Sequence, residues 1–425
     1  MSRLLYTLLL YLALPLLLLR LLVRSLRAPA YRQRIGERFG YVGTGSFAGG
    51  LWVHAVSVGE VTAAVPLVRA LLHRHQGLNI VLTTTTPTGA KQVTAQLGSE
   101  VLHLYCPWDT PGAIQRFLAR VRPRLLLLME TELWPNLIAH CRRREIPVLL
   151  LNARLSERSA RGYGRIAPLV RSMLRQLEQT AAQTGADAAR FRQLGLPTER
   201  VHVSGNIKFD LCLSDEDRQR AATLRRQWDE TRPVWAAAST HAGEETIVLK
   251  AHQSLRARFP SLLLVLVPRH PERFAQVEAM CHTQNLPVVR RTSKRAPRAE
   301  DAVLLADTMG ELRLLLGTAD CAFIGGSLVP TGGHNMLEAA VWGVPILSGP
   351  HLFNFAEPAR HLETAGALRQ VKNAPGLAAA VAAWLDDREA RRAAGQAGIK
   401  VVENGQGALE RQLRLVEEYL GQLAS

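Results

Sequence analysis

Apolar residues in this chain fall into two kinds of run. One is a single long stretch, residues 4–23, broken only by Thr7, Pro15 and Arg20. The others are short, at 51–56, 79–84, 124–129, 147–151, 179–183 and 201–204, with amphipathic stretches such as 59–73 and 88–96 between them. Short apolar runs alternating with helical periodicity predict a parallel sheet with crossover helices. The run at 124–129 is nearly all Leu, as expected of a strand buried on both faces. A polar stretch, 211–232, interrupts the series and predicts a helix with a linker. The alternation resumes at 234–238, 262–267, 303–305, 321–324 and 345–347, and residues 408–423 predict a closing amphipathic helix. The expected fold class is α/β, with two Rossmann-like domains that bind ligands at the carboxyl ends of their strands.

The long N-terminal run adds a membrane element. Twenty helical residues span about 30 Å, enough to cross a bilayer core. Arg3 precedes the run, whereas Arg20, Arg24, Arg27, Arg32, Arg34 and Arg38 close or follow it. That asymmetry puts everything after Val23 on the cytoplasmic side. The positive charge lies mostly after the run, the wrong side for a cleaved signal peptide. A helix lying in the membrane interface is the other arrangement that Pro15 and the basic flank would tolerate. The organisation expected is a membrane anchor and basic flank over 1–30, a first Rossmann-like domain over 31–212, a second over 213–405, and a C-terminal helix over 406–425 packing back on the first domain.

Charge narrows the partners. The chain carries 52 Lys and Arg against 36 Asp and Glu, a net charge of +16 in 425 residues. Such a field attracts polyanions, whether nucleic acid, anionic membrane or phosphorylated substrate. Nucleic acid fits worst, because the chain has no RNP-type aromatic pattern, zinc finger or basic heptad helix. The five cysteines (Cys106, Cys141, Cys212, Cys281, Cys321) form no C-x-x-C pair, so neither a disulfide framework nor a zinc site is indicated. There is no GxxxxGK[ST] loop, G-x-S-x-G or HExxH. Asp215-Glu216-Asp217 lies in a charged helical stretch and reads as surface.

Candidate chemistry concentrates where strands end. Ser57-Val58-Gly59-Glu60 places Glu60 at a strand end and a helix start. The helix dipole stabilises a Glu there by about 0.3–1 kcal/mol, and the same position is rigid enough for a general base. Glu130-Thr131-Glu132-Leu133-Trp134-Pro135-Asn136 follows the Leu run directly. Two carboxylates there are costly unless solvated, paired or used. They could cap the helix after Pro135, orient an acceptor hydroxyl, or hold a neighbouring Lys or Arg. The stretch 204–210 ends the first domain and carries Lys208. In the second half, Ser239-Thr240-His241 reads as opening a helix with Gly243-Glu244-Glu245, and Pro268-Arg269-His270-Pro271 ends a strand. Gly325-Gly326-Ser327 ends another, and Thr331-Gly332-Gly333-His334-Asn335 opens the helix carrying Glu338. Glycines admit a ligand close to the backbone, and a helix start offers unpaired N–H donors to an anion. A phosphate is therefore expected at the 333–335 turn, with Glu338 about one turn on. Each cluster also reads as a plain cap or solvated loop.

Six segments taken together resemble the 3-deoxy-D-manno-octulosonic acid (Kdo) transferases, glycosyltransferase family 30: HAVSVGE (54–60), ETELWPN (130–136), NARLSERS (152–159), SGNIKFD (204–210), PRHPERF (268–274) and GGSLVPTGGHNMLEAA (325–340). The resemblance covers essentially the whole chain. It implies GT-B architecture, two Rossmann-like domains facing a cleft. It also implies an inverting enzyme, catalytic domains cytoplasmic, at the Gram-negative inner membrane, moving Kdo from CMP-Kdo onto a lipid A precursor (lipid IVA) in lipopolysaccharide synthesis. On it, Glu60 is the general base and Glu130 a second functional carboxylate, with Ser57, Gly59, Glu132 and Asn136 on the acceptor side. Lys208, Ser239, Thr240, Arg269, His270, Gly325, Gly326, Gly332, Gly333, His334, Asn335 and Glu338 are expected around the donor, with Arg269 and the 333–335 turn on the CMP phosphate and Glu338 on its ribose. No metal or other cofactor is expected, and the partners are CMP-Kdo, the lipid A precursor and anionic lipids of the inner membrane. The alternatives are another GT-B nucleotide-sugar transferase or epimerase, and a non-catalytic membrane protein that binds anionic lipid.

Overall fold

The computed structural model describes residues 1–43 and 49–422; residue 423 of the expected closing helix lies outside them. The chain forms two compact units, Met1–Asp210 with Gln406–Ser425, and Leu211–Gly405.

Unit 1 holds helix α1 (Arg3–Arg27) and a sheet of β1 (Leu51–His54), β2 (Ile80–Thr84), β3 (Leu102–Tyr105), β4 (Leu125–Met129), β5 (Val148–Ala153), β6 (Gln179–Ala182) and β7 (Val201–Val203). Its order is β3-β2-β1-β4-β5-β6-β7, every pair parallel. Because β1 pairs with both β2 and β4, the chain's progress across the sheet reverses between β1 and β4, which is where such sheets bind ligands. The Leu run of β4 is explained by two cores: Leu126 and Leu128 face one, Leu125, Leu127 and Met129 the other.

Helix α1 is long and apolar enough to cross a membrane. Its N-terminal half also touches unit 1. The Tyr6 hydroxyl donates to Asp109 Oδ2 at 2.9 Å, and Thr7 Oγ1 accepts from Asn136 Nδ2 at 3.0 Å. Leu4, Leu8, Leu12, Leu16 and Leu19 remain exposed. The C-terminal helix Ala408–Gln422 also belongs to unit 1. Asp210 caps it, accepting from the Gly407 and Leu409 N–H groups at 2.5 and 2.6 Å. Leu413, Val416 and Leu420 bury themselves in the core that holds Leu125 and Leu127.

Unit 2 repeats the plan with β8 (Val234–Thr240), β9 (Leu263–Pro268), β10 (Val288–Arg290), β11 (Val303–Leu305), β12 (Cys321–Ile324), β13 (Ile346–Ser348) and β14 (Leu368–Gln370), ordered β10-β11-β9-β8-β12-β13-β14 and all parallel. Here the reversal lies between β8 and β12. Trp235, Phe323 and Trp384 fill its core. The expected helix start at Ser239-Thr240 is corrected: both residues end β8, where the register slips around Ser239 at φ 55°, and the helix begins only at Glu244, after Gly243 at φ 95°.

Candidate active site

Three carboxylates gather at the β1/β4 reversal of unit 1. Glu60 lies in the first turn of α2 (Val58–Arg74) and is buried. Its Oε2 accepts the Val56 N–H at 2.7 Å and its Oε1 accepts the Ser57 hydroxyl at 3.0 Å, while Ser57 Oγ takes the Glu60 N–H at 3.4 Å. Burial, and then the negative charges of Glu132 and Glu130, push its pKa up to about 8. Glu130 follows β4 in the left-handed region, φ 54°, and its Oε1 is 3.0 Å from Lys208 Nζ. Glu132 accepts the Trp134 indole N–H at 2.9 Å and lies 4.0 Å from His54 Nε2; burial raises its pKa as well. His54 is fully buried, which lowers its pKa to about 4 and keeps it neutral. Its Nδ1 meets Thr83 Oγ1 at 2.9 Å, and its Nε2 has no hydrogen-bond partner among the described residues. A carboxyl group fixed in this way is, once ionised, a stronger base than a solvated one.

The two glutamates after β4 therefore do not cap α3 (Pro135–Arg143). Asp109 does: its buried carboxylate accepts the Asn136 and Leu137 N–H groups at 3.0 and 2.7 Å, and burial pushes its pKa up to about 7. Asn136, expected on the acceptor side, is buried too. Its side chain is committed to the Asp109 carbonyl at 2.7 Å and to Thr7, so it ties the loop to α1. Gly59 is exposed on the first turn of α2.

In unit 2 the polar residues collect at the β8/β12 reversal. Glu244, at the start of α4 (Glu244–Arg258), is fully buried and accepts four backbone N–H groups, from His241, Gly326, Ser327 and Leu328, at 2.7–3.0 Å. The Gly325 N–H goes to the Ala238 carbonyl, and a Cβ there would stand 2.6 Å from the Ser239 carbonyl oxygen. The Gly325 and Gly326 N–H groups are therefore already bonded within the protein, and Gly325 is required by packing. The Thr240 carbonyl accepts the Arg269 N–H at 3.0 Å, and the buried Thr240 hydroxyl lacks a partner among the described residues. His241 and His334 meet Nε2 to Nε2 at 2.7 Å with ring planes 10° from parallel, and the His270 ring is 5.1 Å from that of His241. Burial, then the neighbouring His241 and Arg269, lower the His334 pKa to about 3.

Gly332 and Gly333 take φ of 103° and 78°, where a side chain would be strained, and the Gly333 N–H donates to the Gly326 carbonyl at 2.7 Å. Among the described residues no acceptor takes the N–H of His334 or Asn335, which leaves two adjacent donors before α5 (Leu337–Ala340). Asn335 Nδ2 donates to Glu338 Oε1 at 3.4 Å, and burial raises the Glu338 pKa. Sequence reasoning missed Glu244, Asp109, His54 and His241 as site residues. Only the pairing of Glu244 with Glu245 at a strand's end could have flagged one of them.

Comparison with known proteins adds a family. Residues 33–211 match the family described as 3-Deoxy-D-manno-octulosonic-acid transferase (kdotransferase). A 3-deoxy-D-manno-octulosonic acid transferase of Haemophilus influenzae is 45% identical over 423 residues, 99% of each chain. One from Bordetella pertussis is 38% identical over 410 residues, 93% of this chain and 92% of its own. Among solved structures, UDP-GlcNAc 2-epimerase from Neisseria meningitidis bound to UDP-GlcNAc is similar at a TM-score of 0.56 and 15% identity, covering 88% of this chain and 100% of that one. The last likeness concerns the fold alone, two parallel α/β units of the GT-B kind.

Proposed function

The chain belongs to the 3-deoxy-D-manno-octulosonic acid (Kdo) transferase family, and from that premise we propose that it transfers Kdo from CMP-Kdo to a lipid A precursor with inversion, using Glu60 as the base. The observation that carries this reading is the fixed, buried Glu60 carboxyl at the β1/β4 reversal, with the Glu130–Lys208 ion pair beside it. Ionised Glu60 takes the proton of the acceptor hydroxyl as its oxygen bonds to the anomeric carbon of Kdo. The bond from that carbon to the CMP phosphate breaks in the same step. The leaving phosphate needs charge stabilisation more than a proton. Unit 2 supplies it through the 333–335 turn and Arg269, with Glu338 on the ribose. Arg, Lys and backbone N–H groups are the charge partners in this reading, which is metal-independent.

In this reading the enzyme sits on the inner membrane with both units on the cytoplasmic side, and the exposed leucines of α1 support it. A phosphorylated lipid acceptor beside an anionic leaflet suits a chain of net charge +16. The test is transfer from freshly generated CMP-Kdo to a tetraacylated lipid A precursor, wild type beside Glu60→Gln, read by mass spectrometry. A Kdo mass shift in wild type, lost in the variant while CMP still binds, is the expected result. No shift in wild type would remove this donor and acceptor; equal transfer by both would remove Glu60 as the base.

A further inference from the structure

The two loops assigned to the donor are tied to one point, the start of α4. Gly326, Ser327 and Leu328 turn three consecutive N–H groups inward, an arrangement that makes an anion-binding concavity. In this chain the anion is the protein's own. Glu244 Oε2 accepts Gly326 at 2.7 Å and His241 at 2.9 Å, and Oε1 accepts Ser327 at 3.0 Å and Leu328 at 2.9 Å. Bonds from N–H groups to a carboxylate are about twice as strong as neutral ones, and here all four are shielded from water. The next residue, Glu245, is equally buried and accepts from Arg273 Nε and Nη2, at 3.3 and 3.1 Å. Arg273 closes the short 3-10 turn Pro271–Arg273 just after Arg269 and His270. Adjacent carboxylates at one helix start thus fasten the β12 loop and the β9 loop together. While Glu244 fills the concavity, no substrate oxygen can use those amides.

We propose that Glu244 is a positioning residue of the donor site, holding the 325–328 loop in its binding shape, and that Glu245 does the same for the 268–274 loop through Arg273. The proposal rests on reading unit 2 as the nucleotide-binding unit. Neither carboxylate touches the reacting atoms, so their loss weakens donor binding and leaves the bond-making step alone.

The full chain carrying Glu244→Ala is the variant to make, titrated with CMP and then assayed for transfer. Its CMP affinity is expected to fall about tenfold or more, with kcat at saturating donor within about threefold of wild type. The substitution removes the atoms of one acetate ion. Acetate should therefore restore CMP affinity in a saturable way, and chloride at equal ionic strength should not. Unchanged CMP affinity overturns the proposal, and so does a loss that acetate leaves untouched. If Glu244→Ala does not fold, Arg273→Gln carries the test: a several-fold rise in donor KM at constant kcat supports it, and a wild-type KM overturns it. Wild type that binds UDP in place of CMP strikes only the choice of nucleotide, and the acetate test run with UDP still decides the role of Glu244.

Discussion

Glu60 is a carboxyl group whose environment opposes its ionisation. It is buried and faces two other carboxylates, and the Val56 and Ser57 hydrogen bonds offset only part of that. Activity should therefore rise with pH as Glu60 ionises, with the limb of kcat/KM near pH 8. Glu132→Gln removes a neighbouring negative charge and should move that limb to lower pH; an unmoved limb would assign it to another group. Glu60→Gln should lose about 10²–10⁴-fold in rate, the usual worth of a general base. The same physics acts on stability with a definite sign. A folded-state pKa raised from 4.5 to about 8 means stability that is complete below 4.5 and lost as pH rises through 8. Wild type should thus lose melting temperature relative to Glu60→Gln across that window, as scanning calorimetry at several pH values would show. Glu60 and Glu130 were legible as strand-end carboxylates because Glu130 directly follows an apolar run and Glu60 follows one across a short turn. Glu244, Asp109 and Gln412 were not, since each acts on backbone 82, 27 and 260 residues away in sequence, and no local pattern records such a partner.

At the level of elements, strands buried on both faces announce themselves, and of the four edge strands only β7 (Val201–Val203) is read from the sequence. β4, β5 and β12 are buried throughout and read directly as apolar runs. β3, β10 and β14 went unread: each is an edge strand of three or four residues, LHLY, VVR and LRQ, only partly buried and interrupted by a polar side chain. The N-terminal helix was readable in extent, but its surroundings were not. Tyr6 and Thr7 bind Asp109 and Asn136 near one end, and beyond the other end Arg34 meets His103 Nδ1 at 3.0 Å while Glu37 accepts the Tyr105 N–H at 2.7 Å. A helix fastened to unit 1 at its first turns cannot carry those turns across a bilayer, so α1 is expected to lie in the interface with its exposed leucines in the acyl region. A Ser2→Cys substitution in a Cys212→Ser background tests this. An impermeant maleimide should reach it only after the inner membrane is opened, whereas labelling in intact spheroplasts would mean that α1 crosses and that Tyr6 leaves Asp109.

On the scale of the molecule, the chain leaves unit 1 at Asp210, builds all of unit 2, and returns to finish unit 1 with its last helix. The return is held by chemistry at both ends of the gap: Asp210 caps the helix, and Gln412, fully buried, accepts the Asn152 N–H at 2.9 Å and donates to Ser204 Oγ at 3.0 Å. Asn152 in turn accepts the Ile207 N–H at 3.1 Å, so the same helix braces the turn that presents Lys208 to Glu130. Burying Leu413, Val416 and Leu420 is worth about 1.5–3 kcal/mol for each side chain, a sum comparable with the whole stability of an ordinary domain, about 5–15 kcal/mol. Unit 2 is one continuous segment and owes none of its core to that helix. Truncation after Gly405 should therefore separate the two in calorimetry. The transition belonging to unit 1 should fall steeply or vanish, the one belonging to unit 2 should stay where it was, and CMP binding should survive the loss of transfer activity. Joint loss of both transitions would mean that unit 2 depends on unit 1 for its own stability, and that the continuity of its chain is no guide to its independence.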